Sequence, residues 1–171
     1  MQKSNFPKRK RIRLRDFHYG GVCAYYVTIC THQKRHLFGR CIYGRMHLSW
    51  IGQIVEEQWA ATALMRQDFI PDEHIVMPHH LHATFFLTSQ EREKSPAPNK
   101  TLLARILSGF KSAVTSRVRK RLRAPDFEVW QAGSRDRVMR NDRELERARR
   151  YIRENPFRWS FGGPELPLIP V

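Results

Sequence analysis

Between Val22 and Thr31 the chain reads VCAYYVTICT, a run of β-branched, aromatic and small residues that predicts a strand. CIYGRMHLS suggests a second short strand or a hairpin turning at Gly44. The period then changes from two to about three and a half. Ile51, Ile54, Val55 and Trp59 recur at helical spacing behind Ser49, a favoured N-cap, so a helix is expected through WIGQIVEEQWAATALMRQ. Thr62 and Met65 continue its stripe more weakly. A strand pair around Met77-Pro78 ends near Thr88, and SQEREKSPAPNK is a polar loop with two prolines. A second helix, from about Thr101 to Arg121, buries Leu102, Leu103, Ile106, Phe110, Val114 and Val118. FEVWQAG reads as a further strand. The last helix opens at Asn141 or Asp142, where Asn141 and Glu144 have capping-box spacing. Leu145, Ala148 and Ile152 form its core stripe, and it is expected to stop at Pro156. The order β-β-α-β-β-α-β-α suits an α+β fold, an antiparallel sheet with packed helices.

Composition sets the organisation around this pattern. At 171 residues the chain fits one domain, expected over residues 16–160, with a basic arm at 1–15 and a Pro-rich tail at 161–171. Lys and Arg number 31 against 16 Asp and Glu, a formal net charge of +15. That excess favours a polyanionic partner, most often nucleic acid, over a membrane surface. The arm residues Lys8, Arg9, Lys10, Arg11 and Arg13, with Arg105, Lys111 and Arg117 around the second helix, are the candidate phosphate contacts. No apolar run reaches the 18 residues that suggest a membrane span, and the N-terminus lacks the apolar core of a secretory signal. Cys23, Cys30 and Cys41 are odd in number and lack C-x-x-C spacing, which points to reduced packing residues in a cytoplasmic protein.

The segment IVMPHHLHATFFL carries the candidate chemistry. In a strand, His80 and His82 leave one face of the pleat in parallel, while Leu81, Ala83, Phe85 and Leu87 line the other. Two imidazoles so placed can share one metal ion, although surface or hydrogen-bonded core histidines would look the same in sequence. On the last helix Tyr151 and Asn155 are four apart and sit on the shoulder of the buried stripe, facing the edge of a cleft. A hydroxyl nucleophile and a neutral oxygen ligand can thus point into one site. A border tyrosine and a C-terminal asparagine are the structural alternative.

Several segments in this order raise the first reading. RDFHYGGVCAYYVTICT, GQIVEEQW, VMPHHLH, LSGFKS, VWQ and RNDRELERARRYIRENPFRW together resemble the REP-associated tyrosine transposases of bacteria, small enzymes of the HUH class named for a His-hydrophobic-His motif. The resemblance covers roughly residues 15–160. It implies a ferredoxin-like (RRM-like) HUH endonuclease fold in a bacterial, nucleoid-associated protein. It matches His80 and His82 to the paired histidines and Tyr151 to the nucleophile of Y-I-x-x-N-P, and offers Asn155 as third metal ligand. The implied reaction is cleavage and rejoining of single-stranded or hairpin DNA through a 5′-phosphotyrosine, with Mg²⁺ or Mn²⁺ as cofactor, by a monomer or homodimer. A binder of hairpin nucleic acid with weak cleavage is the alternative for the same fold. The chain departs from the pattern at His79, where such transposases more often carry Asn or Glu. It departs again at Ser134, Arg135 and Arg137, where aromatics and His are frequent.

Overall fold

A computed structural model of the chain describes residues 22–88 and 101–161. The basic arm, with Lys8, Arg9, Lys10, Arg11 and Arg13, the whole of the SQEREKSPAPNK loop and nearly all of the tail lie outside the described residues. Among the described residues six strands and three α-helices follow in the order β1 (Cys23–Cys30), β2 (Gly39–Ile42), β3 (Arg45–Leu48), α1 (Trp50–Leu64), β4 (Phe69–Met77), β5 (His80–Leu87), α2 (Leu102–Leu122), β6 (Arg135–Val138) and α3 (Asp142–Ser160), with a short 3-10 turn at His32–Lys34 after β1. Four strands form one sheet in the order β4-β5-β1-β6, with every neighbouring pair antiparallel. The hairpin reading of CIYGRMHLS holds: β2 and β3 make a separate two-stranded ribbon. This is the α+β architecture expected from the element order.

Each helix begins where a side chain can take an orphan backbone N–H. Ser49 accepts from the Gly52 amide at 3.1 Å, Thr101 from Ala104 at 3.3 Å and Asn141 from Glu144 at 2.9 Å. The Glu144 carboxylate in turn accepts from the Arg140 amide at 3.1 Å, one residue earlier than a capping box requires.

The sheet is covered on both sides, unequally. One face carries Val27, Ile29, Leu81, Ala83, Phe85 and Leu87 against the apolar stripes of α1 and α2, with Trp59 and Phe110 edge-to-face at 5.2 Å in the middle. The other face packs a smaller cluster, Tyr26 with Met139, Leu145, Ala148 and Ile152, beneath α3. Met65 is exposed and does not extend the α1 stripe.

Two further sequence expectations fail, for identifiable reasons. FEVWQAG is not a strand. Trp130 alone bridges to Thr31, and the strand lies further on, in β6. Side chains consume the carbonyls that a ladder would need: Arg35 takes Glu128 O, Arg119 takes Phe127 O, and Lys111 takes Gln131 O and Gly133 O. The Trp130 indole meanwhile turns inward, donating to Lys111 O at 3.1 Å and packing on Phe38. Nor does α3 stop at Pro156; it runs on to Ser160. A helix-interior proline loses an N–H bond to the fourth residue back, but here the β2–β3 ribbon holds the last turn. Cys41 Sγ donates to Pro156 O at 3.1 Å, and the Gly44 amide donates to Ser160 Oγ at 2.8 Å. Tertiary contact outweighs the local preference.

Candidate active site

β5 leaves a two-residue turn at Pro78-His79 and immediately presents His80, His82 and Thr84 toward α3. Thr28 of β1 stands opposite His82 in register, and Tyr26 lies two residues away on the same face. Their hydroxyls reach His82 Nδ1 at 3.0 and 2.8 Å. Either hydroxyl can accept from Nδ1–H, the tautomer that leaves the Nε2 lone pair available. The second imidazole is tied in the same way, with His80 Nδ1 2.9 Å from His79 Nδ1. His80 Nε2 is then buried without a hydrogen-bond partner among the described residues. Such an orphan costs stability unless something else meets it. The two rings lie 4.3 Å apart.

α3 closes the site with one row of side chains spaced by four. The Tyr151 ring lies 5.3 Å from His82, and the Trp159 ring 6.0 Å from His80 and 5.0 Å from His79. Asn155 is buried on the same row between them. The structure therefore brings His80, His82 and Tyr151 together, with Asn155 buried one turn further along the same helix. His36 extends the cluster outward, 5.5 Å from His79 and 5.7 Å from Trp159.

Burial decides the protonation states. It holds His80 down to about 2, reinforced by His82, His79 and Lys34, and His82 down to about 3, reinforced by His79. Both imidazoles are neutral at physiological pH, the form that coordinates metal. Burial also pushes the Tyr26 phenol up, against the pull of its Thr28 hydrogen bond. Tyr26 is thus a buried anchor for His82, whereas Tyr151 is only half-buried.

An ionic clamp sets α3 against the sheet. β4 breaks register between Pro71 and His74, and the bulge offers Asp72 and Glu73 to the helix. Arg149 binds the Asp72 carboxylate bidentately at 2.8 and 3.0 Å, and Thr84 Oγ1 donates to it at 2.8 Å. Burial pushes the Asp72 carboxyl up, but these bonds outweigh it and leave the group below its ordinary value. Arg153 pairs with Glu73 at 2.8 Å and Glu146 at 2.7 Å. Residues two before and two after Tyr151 are therefore both fixed to β4.

The α2 basic residues are placed differently. α2 lies on the other side of the sheet from α3. Lys111 is committed to the Gln131 and Gly133 carbonyls at 2.8 and 2.9 Å, and Arg117 is paired with Glu57. Asp68 is held below its ordinary value by Arg66 and, more weakly, by Arg105. These cations do not line the histidine site. Sequence reasoning also passed over Tyr26, Thr28 and Trp159. Trp159 was readable as the next member of the row Tyr151, Asn155; the other two depend on the β1–β5 register.

Two neutral imidazoles, one with Nε2 buried and unpartnered among the described residues, and a buried amide on the facing helix are donors of the kind a divalent cation accepts. Among the described residues no group of three His, Cys, Asp or Glu side chains does so, which leaves Asn155, water or substrate to complete the shell. No helix among the described residues is long and apolar enough to cross a membrane.

No protein-family model matches the chain. An uncharacterised protein of Haemophilus influenzae is 29% identical over 163 residues, spanning 88% of this chain and 89% of its own. Among solved structures, a REP-associated tyrosine transposase bound to a REP hairpin superposes with a TM-score of 0.59 at 15% identity, covering 87% of this chain and 74% of that one. A candidate transposase of Deinococcus radiodurans gives 0.49 at 13% identity, covering 88% and 98%. The chain shares the α+β fold of the first of these.

Proposed function

We propose that this chain, with the fold of a REP-associated tyrosine transposase, is itself a transposase-like enzyme that cleaves and rejoins single-stranded DNA at hairpin-forming repeats. The observation that carries the reading is the half-buried Tyr151 ring 5.3 Å from a neutral, hydroxyl-anchored His82 whose neighbour His80 keeps an Nε2 without a partner among the described residues.

In this reading the Tyr151 hydroxyl oxygen attacks the scissile phosphorus and gives up its proton. The bond from phosphorus to the 3′ oxygen breaks, that oxygen takes a proton, and a 5′-phosphotyrosine remains. Attack by another 3′-hydroxyl on that linkage reforms a phosphodiester and returns the phenol, so rejoining needs no external energy source. His80 and His82 would hold a divalent cation, Mg²⁺ or Mn²⁺, with Asn155 as the third protein ligand. The bound ion would polarise the phosphate and favour the phenolate of a side chain with an ordinary pKa near 10. Tyr26, Thr28 and His79 orient the imidazoles through their Nδ1 atoms, and the Arg149–Asp72 clamp holds α3 at the depth where Tyr151 meets them. The net charge of +15 suits a phosphate backbone, with the arm residues 8–13 as proposed contacts.

The test is incubation with single-stranded hairpin DNA from the sequence flanking the coding region, with Mn²⁺ or with chelator. Metal-dependent nicking is expected from the wild type and none from His80→Ala, while both bind the hairpin within a few fold. Mn²⁺ should also raise the melting temperature of wild type but not of His80→Ala. Equal nicking by both proteins would contradict the metal assignment.

A further inference from the structure

The β2–β3 ribbon carries a surface that the fold does not use. Alternation and register put Arg40, Ile42, Arg45 and His47 on one face, and all four are exposed, while Cys41, Met46 and Leu48 on the other face are half-buried. Arg40 and Arg45 pair with no carboxylate among the described residues. At the tip, Tyr43 and Gly44 both have positive φ, +47° and +73°. A tight hairpin of this kind favours Asn, Asp or Gly at its first position, and a tyrosine there is strained. Its side chain recovers nothing by burial, since Tyr43 is 90% exposed. Beside the tip stand Phe157 and Phe161 of the α3 end, 62% and 66% exposed, with rings 4.6 Å apart. Phe157 lies against the turn at Gly44. Isolated exposed aromatics are ordinary. Three together, one in a strained position and next to two guanidiniums without a carboxylate among the described residues, leave more aromatic surface in water than the contact of Phe157 with the turn requires.

We infer that this ribbon tip is a stacking platform for unpaired nucleotides of a nucleic-acid strand. Flat aromatic faces accept bases of any sequence, and nearby cations neutralise the connecting phosphates. A duplex stem keeps its bases stacked and does not offer them to a side chain. The inference rests on the DNA-processing reading and deepens it. From Tyr151 to Phe157 the helix rises only about 9 Å, so the platform would receive nucleotides flanking the cleavage point.

Tyr43→Asn is the sharpest probe, because asparagine tolerates the left-handed turn and removes the ring. Phe157→Leu, which keeps an apolar contact with Gly44, is a second. Affinity is measured by fluorescence anisotropy against a short mixed-sequence single-stranded oligonucleotide and against a blunt-ended stem. Each variant should lose roughly tenfold on the single strand and nothing on the stem, with Tyr43→Asn melting no lower than wild type. Unchanged affinity for the single strand overturns the inference, as does a loss that appears only as failed self-association. The two readings separate cleanly. If Tyr43→Asn binds normally while a covalent Tyr151 adduct forms, the platform fails and the enzyme stands. If single-strand affinity drops but no adduct forms in wild type, the reverse holds.

Discussion

The two faces of β5 are equally buried and differently built. Toward α1 and α2, Leu81, Ala83, Phe85 and Leu87 interdigitate with apolar side chains and bring no side-chain donor or acceptor of their own; the one orphan on that side among the described residues is the Trp59 indole N–H. Toward α3, the same strand buries His80, His82 and Thr84, each needing partners. Thr84 finds Asp72 and Glu73 O, and His82 finds two hydroxyls, but His80 Nε2 finds none among the described residues. Burying polar groups in this way costs stability that an apolar face would not. One face is shaped by folding and the other departs from it where the candidate chemistry lies.

The largest effect should come from the apolar face. Phe85→Ala removes a fully buried ring packed on Trp59, Phe69 and Tyr25. It should cost about 3–5 kcal/mol in chemical denaturation. Any loss of DNA binding should then track the unfolded fraction and disappear on cooling. A comparable loss from His80→Leu would erase the contrast between the faces.

Acid should act on the other face. The folded imidazoles take protons near pH 2 and 3, whereas unfolded histidine takes them at its ordinary 6.5, so acid favours the unfolded chain. Stability is full above about pH 6.5 and falls below it, by up to about 1.4 kcal/mol per pH unit for each histidine. Between pH 6.5 and 5, before most carboxylates titrate, replacing both residues with leucine should flatten the profile. Parallel profiles would show that the two imidazoles do not carry that dependence.

Much of this contrast was legible in the sequence because it is local. Alternation in HHLHATFFL separates the two faces, and Asn141 with Glu144 marks the start of α3. Residues four apart bring Tyr151 and Asn155 to one side. What could not be read depends on distant partners. Tyr26 and Thr28 become anchors only through the β1–β5 pairing. Residues 127–133 look like a strand until Arg35, Lys111 and Arg119 take their carbonyls. That Lys111 ties down this same loop through two carbonyls is likewise invisible in its spacing. Pro156 reads as a terminus because the ribbon that holds the last turn lies over a hundred residues earlier.

The smallest stability effect should accompany the largest loss of activity. Tyr151→Phe removes one oxygen from a half-buried ring and should cost about 1 kcal/mol or less. The measurement is a denaturing gel of protein incubated with single-stranded hairpin DNA and Mn²⁺, followed by mass mapping of the DNA-linked peptide. Wild type should form a 5′-phosphotyrosine adduct at Tyr151, and Tyr151→Phe, folded and still binding the hairpin, should form none. An adduct that persists in the variant, or that maps to another tyrosine, would contradict the account.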